Sequence, residues 1–185
     1  MTMADPIAQP PVKTLITRCF PVEGIDVMRG MGTRWSRVSQ GFHAPEHMGV
    51  DIMFRRLPGE PVTTSPGNAE WCMPAGVRAL AFAAGTVVYA KQAANGWRVR
   101  LSHGPLDTLY LHLAAAPLVV QGQRVGMGDP LGVVGADPTD PEKLPHLHFE
   151  TRLGSLGTMQ TPIDPGIFLS SWSLLNDTAP TGEKA

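Results

Sequence analysis

The sequence predicts a mainly β domain, an antiparallel sheet whose long loops bound a groove. Three observations carry that expectation. Between Gly76 and Leu153 short apolar, β-branched runs follow one another with glycines between them, the punctuation of closely connected strands. No stretch there keeps a helical apolar period for long, so the connections leave no room for crossover helices and favour antiparallel neighbours. Asn95-Gly96 stands between two strand-like runs, a strong hairpin signal.

The elements follow in order. Residues 1–11 hold three prolines and no apolar period, and read as a flexible lead-in. Residues 12–37 are expected to add an N-terminal strand, Val12 to Phe20, stopped by Pro21, and then loops with a helical turn between Val22 and Arg37. Val38 to Phe42 leads into His43 and His47, and Gly49 to Met53 reads as a strand. Leu57 to Pro74, rich in proline, reads as a long loop of the kind that forms rims or covers. Trp71 inside it is a lid anchor, a substrate contact or a packing residue.

Strand-like runs then recur at Val77 to Ala83, Gly85 to Ala90, Trp97 to Leu101, Thr108 to Leu113, Leu118 to Val120, Gln123 to Val125 and Leu131 to Val134. The loop Ala136 to Pro145 carries three prolines and precedes the apolar run around His146 and His148. Asp164 to Leu169 suits a closing helical turn, and residues 170–185 read as a tail without order at its end. One domain, residues 38–169, is therefore expected to carry the chemistry.

The totals exclude several classes. A net charge of −1 gives no general electrostatic reason for nucleic acid or an anionic membrane as partner. No run approaches the roughly 20 apolar residues that span a bilayer. Cys19 and Cys72 are too few for a four-cysteine metal site and read as structural thiols.

Histidine patterning is the informative part. In His146-Leu147-His148 the two imidazoles share one face of a strand, because side chains alternate with period two. His47 and Asp51 stand four residues apart in a loop-to-strand segment, and His112 sits in a further strand-like run. A catalytic zinc takes three protein donors from such residues and leaves a position for water. A His-x-His pair gives two ligands, or one ligand and one catalytic imidazole, and chemistry alone does not choose.

Taken together these segments resemble the lysostaphin-type (LytM-like) zinc endopeptidases, which cut peptide cross-links of bacterial peptidoglycan. His47-Met48-Gly49-Val50-Asp51 is similar to that family's first metal motif, Tyr110-Leu111-His112-Leu113 to its Tyr-x-His-Leu element, and His146-Leu147-His148-Phe149-Glu150 to its signature strand. Gly85 to Val88, Gln121 to Val125 and Gly128 to Gly132 resemble its connecting strands, and Asp164-Pro165 its closing motif.

The resemblance implies one Zn2+ per chain held by His47, Asp51 and His148, with His112 and His146 as the catalytic pair. The substrate it implies is the peptide stems or bridges of the wall. Around that set, Tyr110 either faces the groove, sharing the parity of His112 in a regular strand, or packs in the core. Glu150 shares the parity of both histidines and either holds an imidazole or makes a surface ion pair. His43 is a rim residue with a chance of touching metal or substrate, and His103 a strand-end residue.

Residues 1–11 lack the basic start and apolar centre of a secretory leader. The chain is therefore expected to be made in the cytoplasm and to act at the wall as a phage or virion-associated hydrolase. Two rival readings are a catalytically silent wall-binding or hydrolase-activating module, and a structural component of a phage-like particle. A biotinyl- or lipoyl-carrier domain is set aside, since no lysine marks a hairpin tip.

Overall fold

The computed structural model describes residues 21–26, 33–34, 36–60, 69–153 and 161–169. The expected strand Val12 to Phe20 and the C-terminal tail lie outside them. In chain order the strands are β1 (Ile25–Asp26), β2 (Thr33–Arg34), β3 (Arg37–Gln40), β4 (Val50–Arg55), β5 (Trp71–Cys72), β6 (Arg78–Leu80), β7 (Gly85–Ala93) and β8 (Gly96–Ser102). There follow β9 (Leu106–Leu113), β10 (Arg124–Val125), β11 (Pro130–Val133), β12 (Leu147–Leu153) and β13 (Thr161–Ile163).

Among the described residues nine strands form one sheet along the path β10-β7-β8-β9-β12-β4-β3, with β13 on β12 and β5 on β4. Two further pairs, β1 with β2 and β11 with β6, stand outside it. Every pairing is antiparallel, as the closely spaced strand runs predict.

The central strands explain the core. β12 alternates: Leu147 and Phe149 are fully buried, Phe149 against Tyr110 with ring centroids 5.3 Å apart, while His148 and Glu150 face the other way. Val50, Ile52 and Phe54 of β4 join Val99, Leu101, Leu113 and Leu131 in the same core. β9 is buried along its whole length, because it lies between β8 and β12 and has both faces covered. Val22 is buried too, and it bridges Ala79 of β6, so residues 21–23 pack on the domain.

Three local expectations need correction. The hairpin turn between β7 and β8 uses Ala94 and Asn95, since Ala93 pairs with Gly96, and Gly96 opens β8 at a φ of 94° that suits glycine. Leu118 to Val120 is not a strand: Val119 is buried between two exposed neighbours, and a turn follows, closed by Gln123 N–H donating to Val120 O. The stretch Leu57 to Pro74 is not loop throughout, because β5 inside it pairs with β4 and Trp71 lies under the Arg55 guanidinium, 4.6 Å from its ring centroid. Between Val22 and Arg37 the described residues include the β1–β2 pair, and the expected helical turn falls on a stretch whose residues 27–32 lie outside them. The closing helical turn is present, at residues 166–169.

Candidate metal centre

Three strands of the sheet deliver the site. His47 lies three residues before the start of β4, Asp51 is the second residue of that strand, and His148 lies opposite Asp51 in the β4–β12 register. Gly49 allows the two strands to meet here. A Cβ at that position would stand 2.6 Å from Phe149 O and 2.7 Å from His148 Nε2, so any larger residue would force the two segments apart.

The donor atoms converge. His47 Nε2 lies 3.1 Å from Asp51 Oδ1 and 3.1 Å from His148 Nδ1, and His148 Nδ1 lies 2.9 Å from Asp51 Oδ1. An ion about 2 Å from each of three tetrahedrally placed donors requires them to be about 3 to 3.5 Å apart. The remaining ring nitrogens fix the tautomers. His47 Nδ1–H donates to Gly41 O at 2.7 Å, and His148 Nε2–H donates to Glu150 Oε1 at 3.2 Å. The inner nitrogens, His47 Nε2 and His148 Nδ1, are thereby aimed at Asp51 Oδ1. A carboxylate and two ring nitrogens at this spacing need a positive charge among them, which the proton on His148 supplies without metal and a metal ion would supply in its place, so the donor set fits a cation.

The electrostatics agree. Burial opposes charge on Asp51, but the hydrogen bond with His148 and the neighbouring His146 and Lys143 hold its carboxyl well below the usual range. Burial also opposes charge on His148, yet Asp51 and Glu150 on either side outweigh it and raise the pKa to about 9. Glu150 is itself held low despite burial, by His148 and by Arg152, whose Nε donates to Oε2 at 2.6 Å. A carboxylate behind a metal-facing imidazole fixes its orientation and strengthens it as a donor. Of the two readings of Glu150, the structure adopts the one in which it holds an imidazole.

Two more imidazoles border the set. His146 is 1% exposed, donates its Nδ1–H to Leu144 O at 2.7 Å, and leaves Nε2 without a hydrogen-bond partner, 3.6 Å from Asp51 Oδ1. Burial lowers its pKa to about 4, against the pull of Asp51, so it is neutral at ordinary pH. The His112 ring centroid is 4.7 Å from that of His146 and 5.9 Å from that of His148. His112 Nδ1–H donates to Asn95 O at 2.9 Å, with Asp137 Oδ2 at 3.7 Å. Burial lowers the His112 pKa, partly offset by these two acceptors.

His112 reaches this position through an irregularity. In the β8–β9 register Val99 faces Tyr110 and Trp97 faces Leu113, so β9 carries one extra residue at Leu111-His112. His112 adopts φ 63°, in the left-handed region. Bulges re-aim side chains in this way. Tyr110 consequently does not share a face with His112: it is fully buried in the core and its hydroxyl accepts from Phe82 N–H at 2.8 Å. It cannot meet a substrate in the groove, and the packing alternative holds.

His43 is exposed, its ring 5.2 Å from His47, and it is outside the three-donor group. His103 is bound to Ala84 O and Thr108 Oγ1. Sequence reasoning missed Asp137, the Asn95 carbonyl and Lys143, whose Nζ lies 2.7 Å from Asp51 Oδ2. A charged residue in the loop just before His146 was the only available signal for Lys143.

The fold and site together define a β-sheet domain in which three donor residues that could hold a metal ion converge beside two further imidazoles. The chain belongs to peptidase family M23, whose family model matches residues 69–165. That span includes His112, His146 and His148 but not His47 or Asp51, which the β4–β12 pairing brings to the same place. The fold is shared with lysostaphin, an antimicrobial peptidase from Staphylococcus simulans, at TM-score 0.56 and 22% identity over 82% of this chain and 56% of that one. It is shared too with a chain of the SpoIIIAH–SpoIIQ complex, at TM-score 0.55 and 20% identity over 82% of this chain and 99% of that one. A zinc-containing peptidase from Vibrio cholerae matches at TM-score 0.44 and 23% identity, over 69% of this chain and 35% of that one. The chain thus spans about half of lysostaphin and about a third of the Vibrio peptidase. Among the described residues no helix is long and apolar enough to cross a membrane.

Proposed function

We propose that the chain is a zinc-dependent endopeptidase that hydrolyses peptide cross-links of bacterial peptidoglycan. His47, Asp51 and His148 would hold the ion. The observation that carries this reading is the convergence of one carboxylate oxygen and two ring nitrogens, with the buried, unpartnered Nε2 of His146 beside them. When bound, zinc supplies Lewis acidity towards a carbonyl oxygen and towards water.

The chain's own groups do the rest. Gly41 O and Glu150 hold the outer nitrogens of His47 and His148, so both rings already aim their inner nitrogens at the site, and a metal ion would displace the proton that His148 carries there. With Nδ1–H of His146 and of His112 tied to carbonyl oxygens, each neutral ring presents its Nε2 lone pair for a proton. One of the pair accepts the proton of the attacking water. A protonated imidazole then donates to the developing oxyanion or returns the proton to the leaving amine. Asp137 beside His112 stabilises the charged form during that transfer.

Digestion of purified peptidoglycan, with mass spectrometry of the released fragments, tests the proposal. Wild type, His148→Ala and chelator-treated protein are compared. New peptide termini from wild type alone support the peptidase. Full activity in His148→Ala contradicts the zinc assignment, and no release from any wall type favours a silent binding module.

A further inference from the structure

Asp51 has two oxygens, and they have different neighbours. Oδ1 faces His47 and His148, whereas Oδ2 is buried without a hydrogen bond and has Lys143 Nζ, 2.7 Å away, as its ion-pair partner. The lysine is delivered there by ordered backbone. Asp137 Oδ1 accepts from Thr139 N–H at 2.8 Å, Asp140 N–H donates to Asp137 O, and Lys143 N–H donates to Asp140 O, so successive turns carry the chain to Lys143. The next residue, Leu144, is buried, and its carbonyl accepts from His146 Nδ1. Of the loop's charged side chains, Asp137, Asp140, Glu142 and Lys143, the lysine alone pairs with Asp51.

We propose that Lys143 is a positioning residue for the metal centre: it occupies Asp51 Oδ2, leaves the carboxylate one oxygen for a divalent cation, and keeps a unit positive charge beside it. This rests on the reading of His47, Asp51 and His148 as metal donors. Two consequences have opposite signs. Without metal, the ammonium offsets the charge of a carboxylate that is 1% exposed, and so supports the metal-free fold. With metal, it repels the incoming ion, and because the lysine side chain is only 35% exposed, water does not fully screen that repulsion. The chain therefore binds zinc less tightly than the same donor set would with a neutral residue at position 143.

The test uses full-length wild type, Lys143→Met, Lys143→Gln and Lys143→Arg. Zinc affinity is read by competition with a chromophoric chelator, and thermal midpoints are read on the metal-free proteins. Lys143→Met and Lys143→Gln are expected to bind zinc about tenfold more tightly and to melt earlier when metal-free. Lys143→Arg, which keeps the charge, is expected to return both values towards wild type. Unchanged or weaker zinc binding in both neutral variants overturns the inference, as does an arginine variant that behaves like methionine. Wild type that takes up no zinc overturns the reading of the donor set, and this inference with it.

Discussion

Replacing Gly49 by alanine probes the closest approach in the site. The new Cβ would stand 2.6 Å from Phe149 O, 2.7 Å from His148 Nε2 and 2.9 Å from Glu150 Cγ. Ordinary contact begins near 3.4 Å, so β4 and β12 must separate by roughly 0.5 to 0.8 Å, a distortion of the overpacked kind that costs about 1–3 kcal/mol. The same separation acts on the donors, because His148 and Asp51 are direct partners across these strands. Metal sites tolerate about 0.2 Å in bond length. Spreading donors that now stand 2.9–3.1 Å apart by more than that should weaken zinc binding at least about tenfold. Chelator competition reads the second effect, and thermal unfolding in excess chelator reads the first. An alanine variant with wild-type zinc affinity and wild-type metal-free stability would refute the claim that this glycine lets the ligand strands meet.

Other outcomes follow from the same geometry. Glu150→Ala removes the acceptor that fixes the His148 tautomer and should lower zinc affinity about 10–100-fold, measured by the same competition. Tyr110→Phe leaves the buried Phe82 N–H unpaired and should cost about 1–3 kcal/mol of stability by denaturant unfolding, with zinc stoichiometry and peptide release unchanged. In chelated protein the His148 pKa is raised from 6.5 to about 9. Its stabilising contribution, on the order of 3 kcal/mol, is therefore complete below the unfolded value and lost as pH rises through the folded one. Thermal midpoints of chelated protein should fall over that window, and those of zinc-loaded protein should not, because the ion takes the place of the proton.

What the sequence disclosed, and what it concealed, divides along physical lines. Period-two alternation aimed His146, just before β12, and His148, within it, at one place, and glycine punctuation disclosed an antiparallel sheet. Both are local signals, written in neighbouring residues. The same alternation misplaced Tyr110, because it assumes a regular strand and β9 carries an extra residue at Leu111-His112. Nothing in Tyr110-Leu111-His112 announces a left-handed histidine. The proline-rich stretch after Leu57 hid β5, which is two residues long and owes its place to pairing with β4. Asn95 O and Lys143 were illegible for another reason: one acts through its backbone, and the other pairs across 92 residues (143 − 51) without any periodic trace.

The division of labour within His146-Leu147-His148 is the centre of the account. Zinc content by elemental analysis, measured side by side on His148→Ala and His146→Ala with wild type as reference, tests it most directly. The account predicts that His148→Ala loses the metal, while His146→Ala retains about one zinc per chain and yet releases no peptide from peptidoglycan. Equal zinc loss in both variants, or zinc retained by His148→Ala, would contradict it.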